Sequence, residues 1–225
     1  MKTYEVEIKS LLGSKEKADK LKGDLKKKYP DTELVSHGKQ LNHYFNTPHD
    51  LGLLIKNTEK IIPAEKRESL DQVLNHGQKI SLRSRETDSS VLLVIKGSMS
   101  GDTSANGVKR IEFETKVNLK LDELDQVLLD SGCTYQAKWS REREEYASGD
   151  IHVCIDKNAG YGYLAEFEKM VTDENRLDKA KDELLSIMEQ LESPELPQDR
   201  LERMFAHYNA HWAEYYGTDK TFLME

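Results

Sequence analysis

Alternation with period two opens the chain. From Thr3 to Ser10, Tyr4, Val6 and Ile8 point one way and Glu5, Glu7 and Lys9 the other, which predicts a strand with one wet face. The period then lengthens. Ser14 is placed to cap a helix running to about Tyr29, with Ala18, Leu21 and Leu25 on one stripe and Pro30 as its stop. A short strand is expected around Leu41–Asn46, ended by Thr47-Pro48. Residues 56–78 combine Pro63 and mixed charges with weak periodicity, and read as a long loop or lid holding one helical turn. Strand-like runs follow at Lys79–Glu86, Val91–Gly97 and Lys109–Val117, separated by Ser/Gly/Asp/Asn turns. Leu119–Ser131 predicts a helix with Leu121, Leu124, Val127 and Leu128 on its face and Gly132 at its end.

Three more strands fit Tyr135–Tyr146, Ile151–Asp156 and Tyr161–Thr172. A helix then carries Leu177, Ala180, Leu184, Ile187, Met188 and Leu191. Ser193-Pro194-Glu195-Leu196-Pro197 punctuates the chain, dividing a domain of residues 1–192 from a tail of 193–225. In that tail Leu201, Met204, Phe205, Tyr208, Trp212 and Tyr215 recur at helical spacing. The tail helix is expected to pack on the domain through Phe205, Tyr208 and Trp212.

Glu5-Val6-Glu7-Ile8-Lys9 is echoed by Glu112-Phe113-Glu114-Thr115-Lys116, and each run leads into a helix and then further strands. Glu166-Phe167-Glu168-Lys169 is a third variant, again before a helix. A strand–helix–strands unit used twice accounts for this layout. The polar faces are unusual in recurring on most strands. Arg83 and Arg85 share one, as do Arg110, Glu112, Glu114 and Lys116, then Arg141 and Arg143, then Glu166 and Glu168. Asp156 shares its strand face with His152 and Cys154. Like charges two residues apart sit roughly 6.5–7 Å from each other along a strand. Repeating them across a sheet is costly unless counter-charges lie between. Hard divalent cations relieve carboxylate pairs, and phosphate relieves arginine pairs through a bidentate fork. A closed barrel with acids on one side of its inner wall and bases on the other would bind a metal–polyphosphate complex. An open sheet with a wet, charged face shows the same periodicity.

Composition narrows the classes. The 225 residues suit one large domain with a small appendage. Charged residues make up 33% and mean hydropathy is -0.73, so the exterior is heavily solvated, while 37% hydrophobic residues suffice for a core. A formal net charge of -8 argues against general nucleic-acid binding, which needs excess Lys and Arg. The seven lysines between Lys15 and Lys28 are interleaved with Glu16, Asp19 and Asp24, as on a solvated helix face. No run is apolar enough to span a membrane, and the charged N-terminus leads to no expectation of a signal peptide. Cys133 and Cys154 have neither metal-type spacing nor a disulfide framework, which points to a cytoplasmic protein.

As a set, the motifs resemble the CYTH superfamily, or triphosphate tunnel metalloenzymes: thiamine and inorganic triphosphatases, class IV adenylate cyclases and fungal RNA triphosphatases. Glu5-Val6-Glu7-Ile8-Lys9 resembles the family's N-terminal signature, and Tyr44-Phe45-Asn46-Thr47-Pro48 its Tyr-(aromatic)-Asp-Thr-Pro strand, with Asn46 in place of the usual acid. Leu82-Arg83-Ser84-Arg85 is similar to its Arg-x-Arg strand and Val94-Ile95-Lys96-Gly97 to its lysine strand. Arg110-Ile111-Glu112-Phe113-Glu114 is similar to its Arg-x-Glu-x-Glu. Arg141-Glu142-Arg143 falls at the late basic strand, and Ile155-Asp156 with Glu166-Phe167-Glu168 at the closing acidic strands.

The resemblance covers roughly residues 3–192 and implies an α+β fold. Its centre would be an eight-stranded antiparallel β-barrel tunnel built from the duplicated unit, with helices packed outside. It implies Mg²⁺ or Mn²⁺ held among Glu5, Glu7, Glu112, Glu114, Asp156, Glu166 and Glu168. Phosphates would be held by Lys9, Arg83, Arg85, Arg110, Arg141 and Arg143. Lys96 is implied as the catalytic base, with Tyr44 as its companion. The expected activity is hydrolysis of a small-molecule triphosphate by a monomer or homodimer, with no nucleic-acid or membrane partner. Cyclisation of ATP and non-catalytic polyphosphate or nucleotide binding are the alternatives.

Overall fold

The computed structural model describes residues 4–88, 90–98 and 110–224. They fall into two compact units: the described residues through 39 and from 140 onward, and those from 40 to 139.

The first unit contains β1 (Tyr4–Leu11), β7 (Ile151–Asn158), β8 (Gly162–Val171) and the later part of β6 (Thr134–Ser148). They pair antiparallel in the order β1-β8-β7-β6. Helices α1 (Lys15–Lys28), α5 (Leu177–Gln190) and α6 (Gln198–Tyr215) belong to the same unit. Ser14 caps α1 as expected, its Oγ accepting from the Lys17 N–H at 3.3 Å. Ala18, Leu21 and Leu25 form the buried stripe. Ile8 and Phe167 face each other across the β1–β8 pair, both fully buried, and α5 lies against these two strands. The apolar residues of β1 therefore face helix, which leaves Glu5, Glu7 and Lys9 on the opposite side.

The tail helix buries Leu201, Met204 and Tyr208. Tyr208 meets Tyr161 with ring centroids 5.7 Å apart, and Phe205 meets it at 5.9 Å. The expected third anchor behaves differently: Trp212 is half-buried and makes its ring contact with Tyr216. Beyond α6 the chain doubles back onto the β7–β8 turn. Gly160 donates to the Lys220 carbonyl and accepts from the Phe222 N–H, both at 2.8 Å.

The second unit contains β2 (Glu33–Asn46) from Gln40 onward, β3 (Gln78–Thr87), β4 (Ser90–Ser98) and β5 (Arg110–Val117). These pair antiparallel in the order β2-β3-β4-β5. Helices α2 (Gly52–Thr58), α3 (Arg67–His76) and α4 (Leu121–Asp130) cover one face, around a core that includes Phe45, Leu54, Leu70, Leu82, Leu93, Ile95, Phe113 and Leu124. A Cβ on Gly97 would lie 2.7 Å from the Gly77 Cα, so glycine lets the end of α3 cross β4.

Two segments differ from the expected pattern. Residues 56–78 are no loop: the end of α2, a 3-10 turn at Ala64–Lys66 and all of α3 occupy them, burying Ile62, Leu70, Val73 and Leu74. The strand expected at Leu41–Asn46 begins earlier, at Glu33; residues 33–37 are exposed throughout and leave no alternation in the sequence to read. Thr3 and Lys109, placed in strands by the sequence pattern, lie outside the described residues.

Among the described residues the fold is α+β, with eight strands and antiparallel pairing within each unit. The duplication takes a crossed form. The trailing strands of the first sequence half, β2–β4, are completed by β5, the leading strand of the second half. The trailing strands β6–β8 are completed by β1. No helix among the described residues is long and apolar enough to cross a membrane.

Candidate active site

On the polar face of the first unit, Glu7 stands opposite Glu168 and Lys9 opposite Glu166. Glu5, Glu7 and Glu168 each place a carboxylate oxygen within 4.8 Å of the other two. Three converging carboxylates with hard oxygen donors fit a Mg²⁺- or Mn²⁺-type cation. The remaining acids on this face turn elsewhere. Arg143 grips Asp156 bidentately, Nε to Oδ1 and Nη2 to Oδ2 at 2.7 Å each, and also contacts Glu166. Arg141 Nη1 reaches Asp156 Oδ2 at 2.8 Å. Lys9 pairs with Glu7 and stands 3.5 Å from Glu166.

Burial alone would raise the Glu166 carboxyl, but Arg143, Lys9 and Arg141 hold it well below the usual carboxylate range. Burial likewise opposes the charge on Arg143, yet Asp156 and Glu166 keep its guanidinium firmly protonated. Cys154 lies opposite Glu166 in register, and burial pushes its thiol up so that it stays protonated. The expected metal ligands thus divide by register: Glu5, Glu7 and Glu168 converge, while Asp156 and Glu166 are bound by the arginines that were expected to hold phosphate.

The polar face of the second unit is more basic. Arg83 stands opposite Tyr44 and Arg85 opposite Asn42. Arg85 donates from Nε to Asn42 Oδ1 at 2.9 Å and from Nη1 to Glu114 Oε2 at 3.0 Å. Arg83 Nη1 donates to Tyr44 Oη at 2.8 Å. Its buried Nε has no hydrogen-bond partner among the described residues, a donor that a phosphate oxygen would satisfy. Lys96, opposite Glu112 and only 8% exposed, places Nζ 3.2 Å from Glu112 Oε2. Glu112 and Glu114 are therefore counter-ions to Lys96 and Arg85 in this unit. Arg110 pairs through its backbone with Ser98, and its side chain lies outside what is described.

Two features escaped the sequence reading. Trp139 on β6 meets the Tyr44 ring at 6.2 Å between centroids. Behind the same sheet, buried Asp125 of α4 accepts from His43 Nδ1 at 2.6 Å, Ser84 Oγ at 2.5 Å and Tyr135 Oη at 2.7 Å. The available signal for Asp125 was a carboxylate inside the apolar stripe of its helix, next to Leu124 and one turn from Leu121 and Leu128.

A model of the CYTH domain matches residues 3–200. The chain belongs to the CYTH domain family. A Methanocaldococcus jannaschii protein provisionally called an adenylate cyclase is 30% identical over 111 residues. That match takes in 49% of this CYTH chain and 61% of the relative, so it spans about three fifths of the relative's length. A solved structure from Vibrio parahaemolyticus, also provisionally called an adenylate cyclase, superposes with a TM-score of 0.62 at 19% identity. It covers 92% of this chain and 99% of its own. A protein from Pyrococcus horikoshii gives the same TM-score and identity, over 89% and 99%. At such identities the likeness is one of fold, and it is the fold that CYTH membership implies.

Proposed function

We propose that this CYTH protein is a cytoplasmic, divalent-metal-dependent triphosphatase. The observation that carries the reading is the convergence of Glu5, Glu7 and Glu168 in a unit that also presents Lys9, Arg141 and Arg143. A Mg²⁺ or Mn²⁺ ion held there would neutralise phosphate oxygens. In the second unit, Arg83 and Arg85 are assigned to phosphate through their forked donors. Lys96 is assigned to accepting the proton of the attacking water, with Tyr44 as its companion. That attack makes one P–O bond at the terminal phosphorus and breaks the bridging one, releasing phosphate and a diphosphate. Cyclisation of ATP, with the ribose 3′-hydroxyl as nucleophile and diphosphate as leaving group, is the second reading. The name given to the Methanocaldococcus jannaschii relative favours it.

The test resolves products from ATP, inorganic triphosphate and thiamine triphosphate with Mg²⁺ or Mn²⁺, for wild type and Glu168→Gln. Phosphate release that falls about a hundredfold or more in the variant supports the triphosphatase, since even residues behind a metal's ligands are worth 10–100-fold. Cyclic AMP supports the second reading. A Glu168→Gln enzyme with wild-type turnover across a metal titration removes Glu168 from the metal site.

A further inference from the structure

Phosphate chemistry accounts for the arginines of the second unit and for Tyr44 but not for Trp139 beside them. Trp139 and Tyr44 meet edge to face, with centroids 6.2 Å apart and planes at 61°. Tyr44 is also held by Arg83, whose guanidinium carbon lies 4.9 Å from the ring centroid while Nη1 donates to the hydroxyl at 2.8 Å. Two contacts from one arginine fix the phenol ring against which the indole packs. Both aromatic residues are half-buried. Tyr44 is the direct cross-strand partner of Arg83, so the corner continues the row of bases. An inorganic polyphosphate offers only charged oxygens, which gain nothing from an indole face. A planar heteroaromatic ring gains stacking energy from it, and a cation beside the stack strengthens the contact.

We propose that Trp139, packed against Tyr44, forms a stacking subsite for the base of a nucleoside triphosphate. The inference rests on the triphosphate reading above and specifies its substrate class: nucleotides in preference to inorganic triphosphate. Stacking reads the face of a base and not its hydrogen-bonding edge, so ATP and GTP are both accepted, ahead of the smaller pyrimidines.

Trp139 and Trp212 are the chain's two tryptophans, so Trp212→Phe leaves Trp139 as the sole indole reporter. The probes are imido-linked, slowly hydrolysed analogues of ATP and of inorganic triphosphate, each titrated with Mg²⁺. The expected result is quenching of Trp139 emission by the ATP analogue and little change with the triphosphate analogue. By calorimetry, Trp139→Ala binds the ATP analogue about tenfold more weakly, leaves triphosphate affinity unchanged, and is largely rescued by Trp139→Phe. The fluorescence titration decides alone if Trp139→Ala fails to fold. Equal weakening toward both compounds, or toward neither, overturns the subsite while the triphosphate reading stands. If wild type binds neither compound, the triphosphate reading fails and takes the subsite with it.

Discussion

Lys96 and Glu112 show how far a single residue can be read. Strand alternation puts Glu112 on the polar face of its strand, whereas Lys96 ends the unbroken apolar run of residues 91–95 and stands out only through its resemblance to the family's lysine strand. Their 3.2 Å pairing depends on the register of β4 against β5, which no local pattern specifies. The same holds in the first unit. The pairs of glutamates and arginines are visible as pairs, yet whether an acid meets other acids or an arginine is set by which strand lies alongside. Asp156, beside Arg143 across β6 and β7, is matched to arginine, whereas Glu7 beside Glu168 is matched to another acid. The role of Lys96 is tested at this scale. Arginine keeps the positive charge and can keep the ion pair to Glu112, but it cannot give up its proton. If Lys96 accepts the proton, Lys96→Arg loses about a hundredfold in kcat. KM then stays near wild type, and the rise of kcat with pH that a lysine base produces flattens. An unchanged kcat and pH profile in steady-state assays would make Lys96 an electrostatic clamp and move the base elsewhere.

Among elements, those with strong periodicity were legible and those stabilised by tertiary contact were not. α1, α4 and α5 announce themselves through their apolar stripes, and α1 through its Ser14 cap as well. α2 is only 7 residues long, α3 carries apolar side chains only at Leu70, Val73 and Leu74 where the equally long α4 carries five, and Pro63 with its charged neighbours lies between α2 and α3. Burial of Leu54, Leu70 and Val73 against the sheet is what makes them helices. Asp125 was hidden for a related reason: a carboxylate on an apolar stripe makes sense only once His43, Ser84 and Tyr135 are seen around it. This hub ties α4 to β2, β3 and β6 within the second unit. Removing it strands several buried donors, so Asp125→Ala costs about 3 kcal/mol, a fall of roughly 6–12 °C in Tm for a chain of this length. Burial disfavours the Asp125 carboxylate, but the hydrogen bonds from His43, Ser84 and Tyr135 outweigh it and lower its pKa below the ordinary value. A group whose pKa is lower folded than unfolded contributes its stability in full above the unfolded value. That contribution is lost as pH falls through the folded one. Tm measured against pH should therefore fall less steeply on the acid side for Asp125→Asn than for wild type. Parallel acid limbs would remove Asp125 from the acid response.

For the whole molecule, the telling feature is the exchange of leading strands between the two sequence halves. The repeat of Glu-x-Glu-x-Lys was visible in the sequence, but a repeat does not say which half each copy completes. β1 pairs along its full length with β8, from Tyr4 opposite Val171 to Leu11 opposite Leu164. β5 does the same with β4, from Arg110 opposite Ser98 to Val117 opposite Val91. A chain divided between residues 98 and 110 yields two fragments, each missing one strand of its main sheet. The C-terminal fragment loses Tyr4, Val6 and Ile8, all buried in the intact protein. Full burial of such side chains contributes about 1.5–3 kcal/mol each, which together is comparable with the 5–15 kcal/mol that stabilises a typical domain. The N-terminal fragment loses Phe113 from its core and exposes β4 as an unpaired edge. Neither fragment should melt cooperatively alone, whereas the two expressed together should co-purify one to one and recover metal-dependent turnover. Scanning calorimetry of each fragment is the deciding measurement. A cooperative transition in either one alone would mean that its three remaining strands and helices suffice, and that the exchanged strand is not needed to hold the fold.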